Sequence, residues 1–122
     1  MKRDNDLIRA VLLAVEQQAA GDNVISLQAG QFVSAFPGLT NDTLNEHIEL
    51  LAERGFLEAE PHQLGWFITR LTWDGHDFLA NSKVESVWQK AKQIAGGFSL
   101  DLFTSTLKQC AAAYLTPLIQ GS

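Results

Sequence analysis

A chain of 122 residues with 46% hydrophobic and 19% charged side chains is long enough for one hydrophobic core and too apolar to be disordered. Its net charge of −5 weakens any general attraction to nucleic acid or to an anionic membrane. The single cysteine, Cys110, excludes an intramolecular disulfide and a four-cysteine zinc site; set before Ala111, Ala112 and Ala113, it reads as a small packing residue.

The opening MKRDNDLIRAVLLAVEQQ begins with positive charge, as a signal peptide does. Arg9 and Glu16 bracket too short an apolar run for one, and no stretch approaches the roughly 20 apolar residues of a membrane span. A cytoplasmic protein without a membrane partner is expected. A first helix starts at Asp4 or Asn5, whose short side chains cap exposed N–H groups. Leu7, Ile8, Val11, Leu12 and Val15 make its apolar face, and AAGDN (Ala19 to Asn23) ends it.

VISL suits a brief strand, and Ser26 caps a short helix carrying Phe32 and Val33 that FPG (36–38) closes. The next helix is capped by Thr40 or Asn41, buries Leu44, Ile48 and Leu51, and stops at Gly55. FLEAE and WFITRL read as two strands joined by the loop PHQLG (61–65). Thr72 caps a following helix, Val84 to Ala95 forms another, and Gly96-Gly97 terminates it. Ser99 caps the last helix, with Phe103, Leu107, Cys110, Ala111, Tyr114 and Leu115 on one face and Pro117 as its end.

The expected class is mainly α with a small β-hairpin, that is α+β. The order matches a winged helix-turn-helix over residues 1–82, with PHQLG as the wing. A helical extension over 83–122 either packs on it within one compact domain or forms a dimer contact.

MKRDNDLIRAVLLAVE, HIELLAERGFLEA and RLTWDGHDFLANSKVESVWQKAK resemble a family of small bacterial and phage proteins, a domain of unknown function often encoded in prophages. The MKRDNDLIR start and the LTWDGHDFL run carry the resemblance. It implies a winged-helix domain followed by helices and brings no catalytic residues with it.

For chemistry, His47, His62 and His76 lack metal-ligand spacing, and His47 and His76 meet in space only if their helices pack together. No Gly-x-Ser-x-Gly elbow, P-loop or dinucleotide fingerprint is present. The expectation is therefore a protein that is not an enzyme, with no catalytic residue, no metal and no cofactor. Trp73 and Trp88 are expected in the core, locking the later helices onto the winged helix, and Trp66 at the wing edge is expected to be exposed.

Charge decides between the two remaining readings. Between Asn41 and Glu60 there are six acids and one base, so the helix that would read DNA repels phosphate. Asn45 has the chemistry to read adenine and Glu to accept from cytosine, but without phosphate clamps such contacts have little affinity behind them. The favoured function is a non-enzymatic module for protein–protein interaction, with Asn45, Glu49, Glu53 and Trp66 as its surface. The alternative is a dimeric DNA-binding transcriptional regulator that contacts double-stranded DNA through Lys2, Arg3, Arg9, Lys90 and Lys92. A homodimer through the 99–116 helix fits either.

Overall fold

The computed structural model describes residues 2–18 and 24–120; the expected helix stop at Ala19 to Asn23 lies outside them. The chain is mostly helical with a two-stranded antiparallel hairpin and divides into two compact units, Met1–His76 and Asp77–Ser122.

In the first unit, helix α1 (Asn5–Gln18) begins where the sequence places it. Asp4 Oδ1 accepts from the N–H groups of Asp6 (3.0 Å) and Leu7 (3.2 Å), satisfying two of the orphan donors of the first turn. Leu7, Ile8, Val11, Leu12 and Val15 are all buried.

Two expected elements shrink. VISL contributes a single bridge, in which Ile25 exchanges both backbone hydrogen bonds with Ile68 at 2.8 Å. The expected Ser26-capped helix is one 3₁₀ turn, Ala29–Gln31. Its start is fixed by Gln31 Oε1 accepting from Gln28 N–H (2.8 Å) and Asn41 Oδ1 accepting from Ala29 N–H (2.7 Å), not by Ser26. Gly30 within it and the Pro37-Gly38 pair beyond leave too few residues to nucleate and propagate an α-helix.

Helix α2 (Asn41–Glu53) is capped by Thr40, whose Oγ1 accepts from Thr43 N–H at 3.2 Å. It ends in a Schellman arrangement: Phe56 N–H donates to Leu51 O (2.9 Å) and Gly55 N–H to Ala52 O (3.2 Å). Gly55 takes φ 79°, which a side chain would strain. The buried Phe56 then leads straight into strand β1 (Leu57–His62), paired with β2 (Gly65–Leu71).

The expected five-residue wing loop is shorter than read. Pro61 pairs with Trp66 and His62 with Gly65, so only Gln63 and Leu64 form the turn. Pro61 is tolerated because β1 is an edge strand and needs no outward N–H. Glu58 opposes Arg70 while Ala59 opposes Ile68, which leaves Thr69 as the extra residue of a bulge.

Helix α3 (Trp73–Asn81) is tied to the start of β1. Thr72 N–H donates to Phe56 O at 3.1 Å, Thr72 Oγ1 donates to Gly55 O, and the same oxygen accepts from Gly75 N–H at 3.1 Å. Gly75 lies so close to Phe56 that an added Cβ would fall inside contact distance of the Phe56 carbonyl oxygen.

The second unit holds the rest of α3 with α4 (Glu85–Ala95) and α5 (Leu100–Gln120). Phe78, Trp88 and Phe103 meet edge-to-face with centroids 5.4–6.1 Å apart, the favoured geometry for aromatic quadrupoles. Ser99 Oγ accepts from Leu102 N–H at 3.2 Å and starts α5. The helix continues through Pro117 to Gln120 rather than ending at the proline. Proline removes one amide donor and crowds the carbonyl four residues back, which weakens the turn without forbidding it.

Two tryptophan expectations are corrected. Trp88 is fully buried, but Trp73 is 82% exposed, because it opens α3 on the outer side of the turn that Thr72 and Gly75 hold inward. Trp66 is half-buried, since strand alternation puts it on the same face as the fully buried Ile68.

Candidate interaction surface

The α2 helix buries Leu44, His47, Ile48 and Leu51, and helical geometry therefore turns Asp42, Asn45, Glu46, Glu49 and Glu53 the other way. The four acids are exposed and Asn45 is half-buried. Asn45 leans on the hairpin: its Oδ1 and Nδ2 stand 3.2 and 3.4 Å from where a Cβ on Gly65 would be. The acidic ridge thus runs directly up to the end of the hairpin.

The hairpin itself offers apolar groups that sequence reasoning missed. Leu64 in the turn is 84% exposed and Phe67 is 42% exposed. The His62 ring stacks on Phe67 with centroids 3.8 Å apart. His62 Nδ1 accepts from Leu64 N–H at 3.3 Å, while its Nε2 is buried with no hydrogen-bond partner. Further down the ladder Arg70 grips Glu58 with two bonds, 2.7 and 3.0 Å, which occupies that base in a cross-strand pair. Of the four residues read from sequence as a protein surface, Glu49 and Glu53 stand open and Asn45 bridges to the hairpin. Trp66 contributes only partly. The signal for Leu64 and Phe67 was the register of the two-residue turn, which apolar alternation alone does not fix.

The residues read as DNA contacts fall in separate units, Lys2, Arg3 and Arg9 in the first and Lys90 and Lys92 in the second. Arg3 is half-buried, its Nε donates to Asn5 Oδ1 at 2.8 Å, and desolvation lowers its pKa from the ordinary value. Arg9 is half-buried on α1. Lys92 Nζ lies 5.7 Å from the Trp88 ring centroid, a cation–π contact, and Lys90 is exposed.

The histidines go separate ways. His47 is fully buried and used twice: Nε2 accepts from Asp4 N–H (3.0 Å), and Nδ1 donates to Thr43 O (2.8 Å). An amide can only donate and a carbonyl only accept, so the ring is the neutral Nδ1–H tautomer. His76 instead lies 3.9 Å from Glu16 Oε2 and beside Trp73. A recess of about 420 Å³ lies between the start of α1 and the 35–39 turn, lined in part by Lys2, Asp4, Phe36 and His47. Both nitrogens of the imidazole there are engaged by the Asp4 and Thr43 backbone. Among the described residues no group of three His, Cys, Asp or Glu is placed to hold a metal ion, and no helix is long and apolar enough to cross a membrane.

No solved structure matches the chain. An uncharacterized protein of Haemophilus influenzae is 29% identical over 123 residues, covering 98% of this chain and 99% of that protein. A family model described as hypothetical protein (DUF2513) matches residues 2–99, and the protein belongs to that family.

Proposed function

We propose that the protein is a non-catalytic binding module on a winged-helix plan, with α2 in the place of a recognition helix and the β1–β2 hairpin as its wing. In this reading the plan is turned to protein recognition. The observation that carries it is the continuity of the α2 acidic ridge with an apolar hairpin tip, joined where Asn45 rests on Gly65. Exposed carboxylates beside Leu64 and Phe67 suit a partner surface that pairs Lys or Arg side chains with an apolar anchor. The charges would steer the encounter and the anchors would supply most of the affinity. A phage or prophage origin, which the family resemblance implies, would make a host protein a natural partner.

The competing reading, a DNA-binding regulator, needs several unengaged cations on one face. Arg3, Lys92 and Arg70 are already in contact with Asn5, Trp88 and Glu58. That weighs against it.

The test titrates the protein with an amphipathic Lys/Leu helical peptide and, separately, with a double-stranded DNA fragment, at low and at physiological salt. Chemical-shift changes report the site. Peptide binding that moves Glu49, Glu53, Leu64 and Phe67, and that weakens about tenfold or more in Glu49→Lys or Phe67→Ala, supports the proposal. DNA binding at physiological salt with no response to the peptide would overturn it.

A further inference from the structure

The recess at the start of α1 has a volume of about 420 Å³, within the range of small-ligand sites. The chain ahead of α1 contributes Lys2 and Asp4 to its lining, the 35–39 turn Phe36 and Leu39, and α2 Thr43 and His47. Most of the polar groups there are already used. His47 is neutral, its Nε2 taken by Asp4 N–H and its Nδ1–H by Thr43 O. Asp4 Oδ1 caps α1 through the N–H groups of Asp6 and Leu7.

What remains open is a matched set. Among the described residues neither Asp4 Oδ2 nor the Lys2 ammonium has a partner, and the two side chains form no ion pair with each other. Thr43 Oγ1 accepts from Thr40 Oγ1 at 3.2 Å, which leaves its own proton free to donate. A simple anion drawn to Lys2 would face the Asp4 carboxylate, and a simple cation drawn to Asp4 would face Lys2. Only a ligand that carries both charges meets both groups without a like-charge conflict. Phe36 and Leu39 add hydrocarbon to the same recess. Gly38, at φ 80°, makes the bend between them, and open space lies where its Cβ would stand.

We propose that the recess binds a free α-amino acid with an apolar side chain. The ligand's carboxylate meets the Lys2 ammonium and the Thr43 hydroxyl, and its own ammonium meets Asp4 Oδ2. Its side chain lies against Phe36 and Leu39. The inference is independent of the α2–hairpin reading, because it uses Thr43 and the buried His47 and none of the acids on the ridge.

An NMR titration of the full chain with L-leucine tests it. Three analogues run alongside: leucinamide lacks the carboxylate, isocaproate lacks the ammonium, and glycine lacks the side chain. Leucine should shift the amides of Asp4, Leu39, Thr43 and His47 with a dissociation constant of about 1 mM. Each analogue should bind about tenfold more weakly or worse. Lys2→Ala should cost about tenfold in leucine affinity, and so should Asp4→Asn, which keeps the α1 cap and removes only the charge. No shifts at these residues with leucine at about 0.1 M would overturn the proposal. So would isocaproate or leucinamide binding as tightly as leucine, or leucine affinity unchanged in either variant.

Discussion

Gly75→Ala puts the joint between α3 and β1 to a sharp test. In an open helical position this substitution gains about 1 kcal/mol, because alanine loses less backbone entropy. At Gly75 the added Cβ meets the Phe56 carbonyl oxygen inside contact distance, lies 3.1 Å from the carbonyl carbon, and reaches 3.5 Å from Leu71 Cβ. Backbone cannot swing aside as a side chain does, so α3 must retreat from β1. Forcing extra volume into a packed site costs about 1–3 kcal/mol. The retreat also stretches the 3.1 Å Thr72–Phe56 hydrogen bond, which adds about 1 kcal/mol. After the propensity gain is subtracted, a net loss of about 1–3 kcal/mol remains, a fall of roughly 4–12 °C in Tm. Urea and thermal melts followed by circular dichroism measure it. Gly97→Ala, where nothing stands within 4 Å, is the control and should stay within about 0.5 kcal/mol of wild type. A Gly75→Ala protein as stable as the control would refute the close approach.

Three further outcomes are expected. His47→Ala should cost about 2–4 kcal/mol in a urea melt, since it opens a cavity and strands the Asp4 N–H that Nε2 accepts. Thr40→Ala should cost about 1 kcal/mol by removing the α2 cap, and Thr40→Asp should restore most of it. In variants retaining one tryptophan each, acrylamide should quench Trp73 strongly and Trp88 hardly at all, with Trp66 between; equal quenching of Trp73 and Trp88 would contradict the exposed start of α3.

Helix starts were legible in the sequence because their information is local. Asp4, Thr40, Thr72 and Ser99 each present an oxygen to an N–H two or three residues on, just ahead of a periodic apolar stripe. The acidic ridge of α2 was legible for a similar reason, since the turn angle places Glu49 and Glu53 opposite Leu44, Ile48 and Leu51. Features that depend on a distant partner were not. The bulge at Thr69 is set by how β1 pairs, and the bridge at Ile25 by a strand more than forty residues away. Phe67 could be placed outward only once the turn was known to have two residues. Trp73 looked like core because tryptophan usually is, yet the inward space at that turn goes to Gly75 and Leu71. The 3₁₀ turn at Ala29 owes its place to Asn41, twelve positions on.

The division of the chain at His76 and Asp77 has a kinetic side. The second unit is closed by neighbours in sequence: α4 and α5 are joined by a four-residue turn, and Phe78, Trp88 and Phe103 span a single stretch of chain. The first unit must bring residue 4 to residue 47 and residue 25 to residue 68 before its contacts reward the ordering. Loops of that length close at an entropic cost that local helical pairing avoids, and folding rates fall as such contacts come to dominate. The helical half is thus expected to form early and the hairpin half to set the overall rate. A slow phase in refolding should then track Ile68→Val and His47→Ala, while Leu107→Ala, in contacts made before that step, should leave the unfolding rate nearly unchanged.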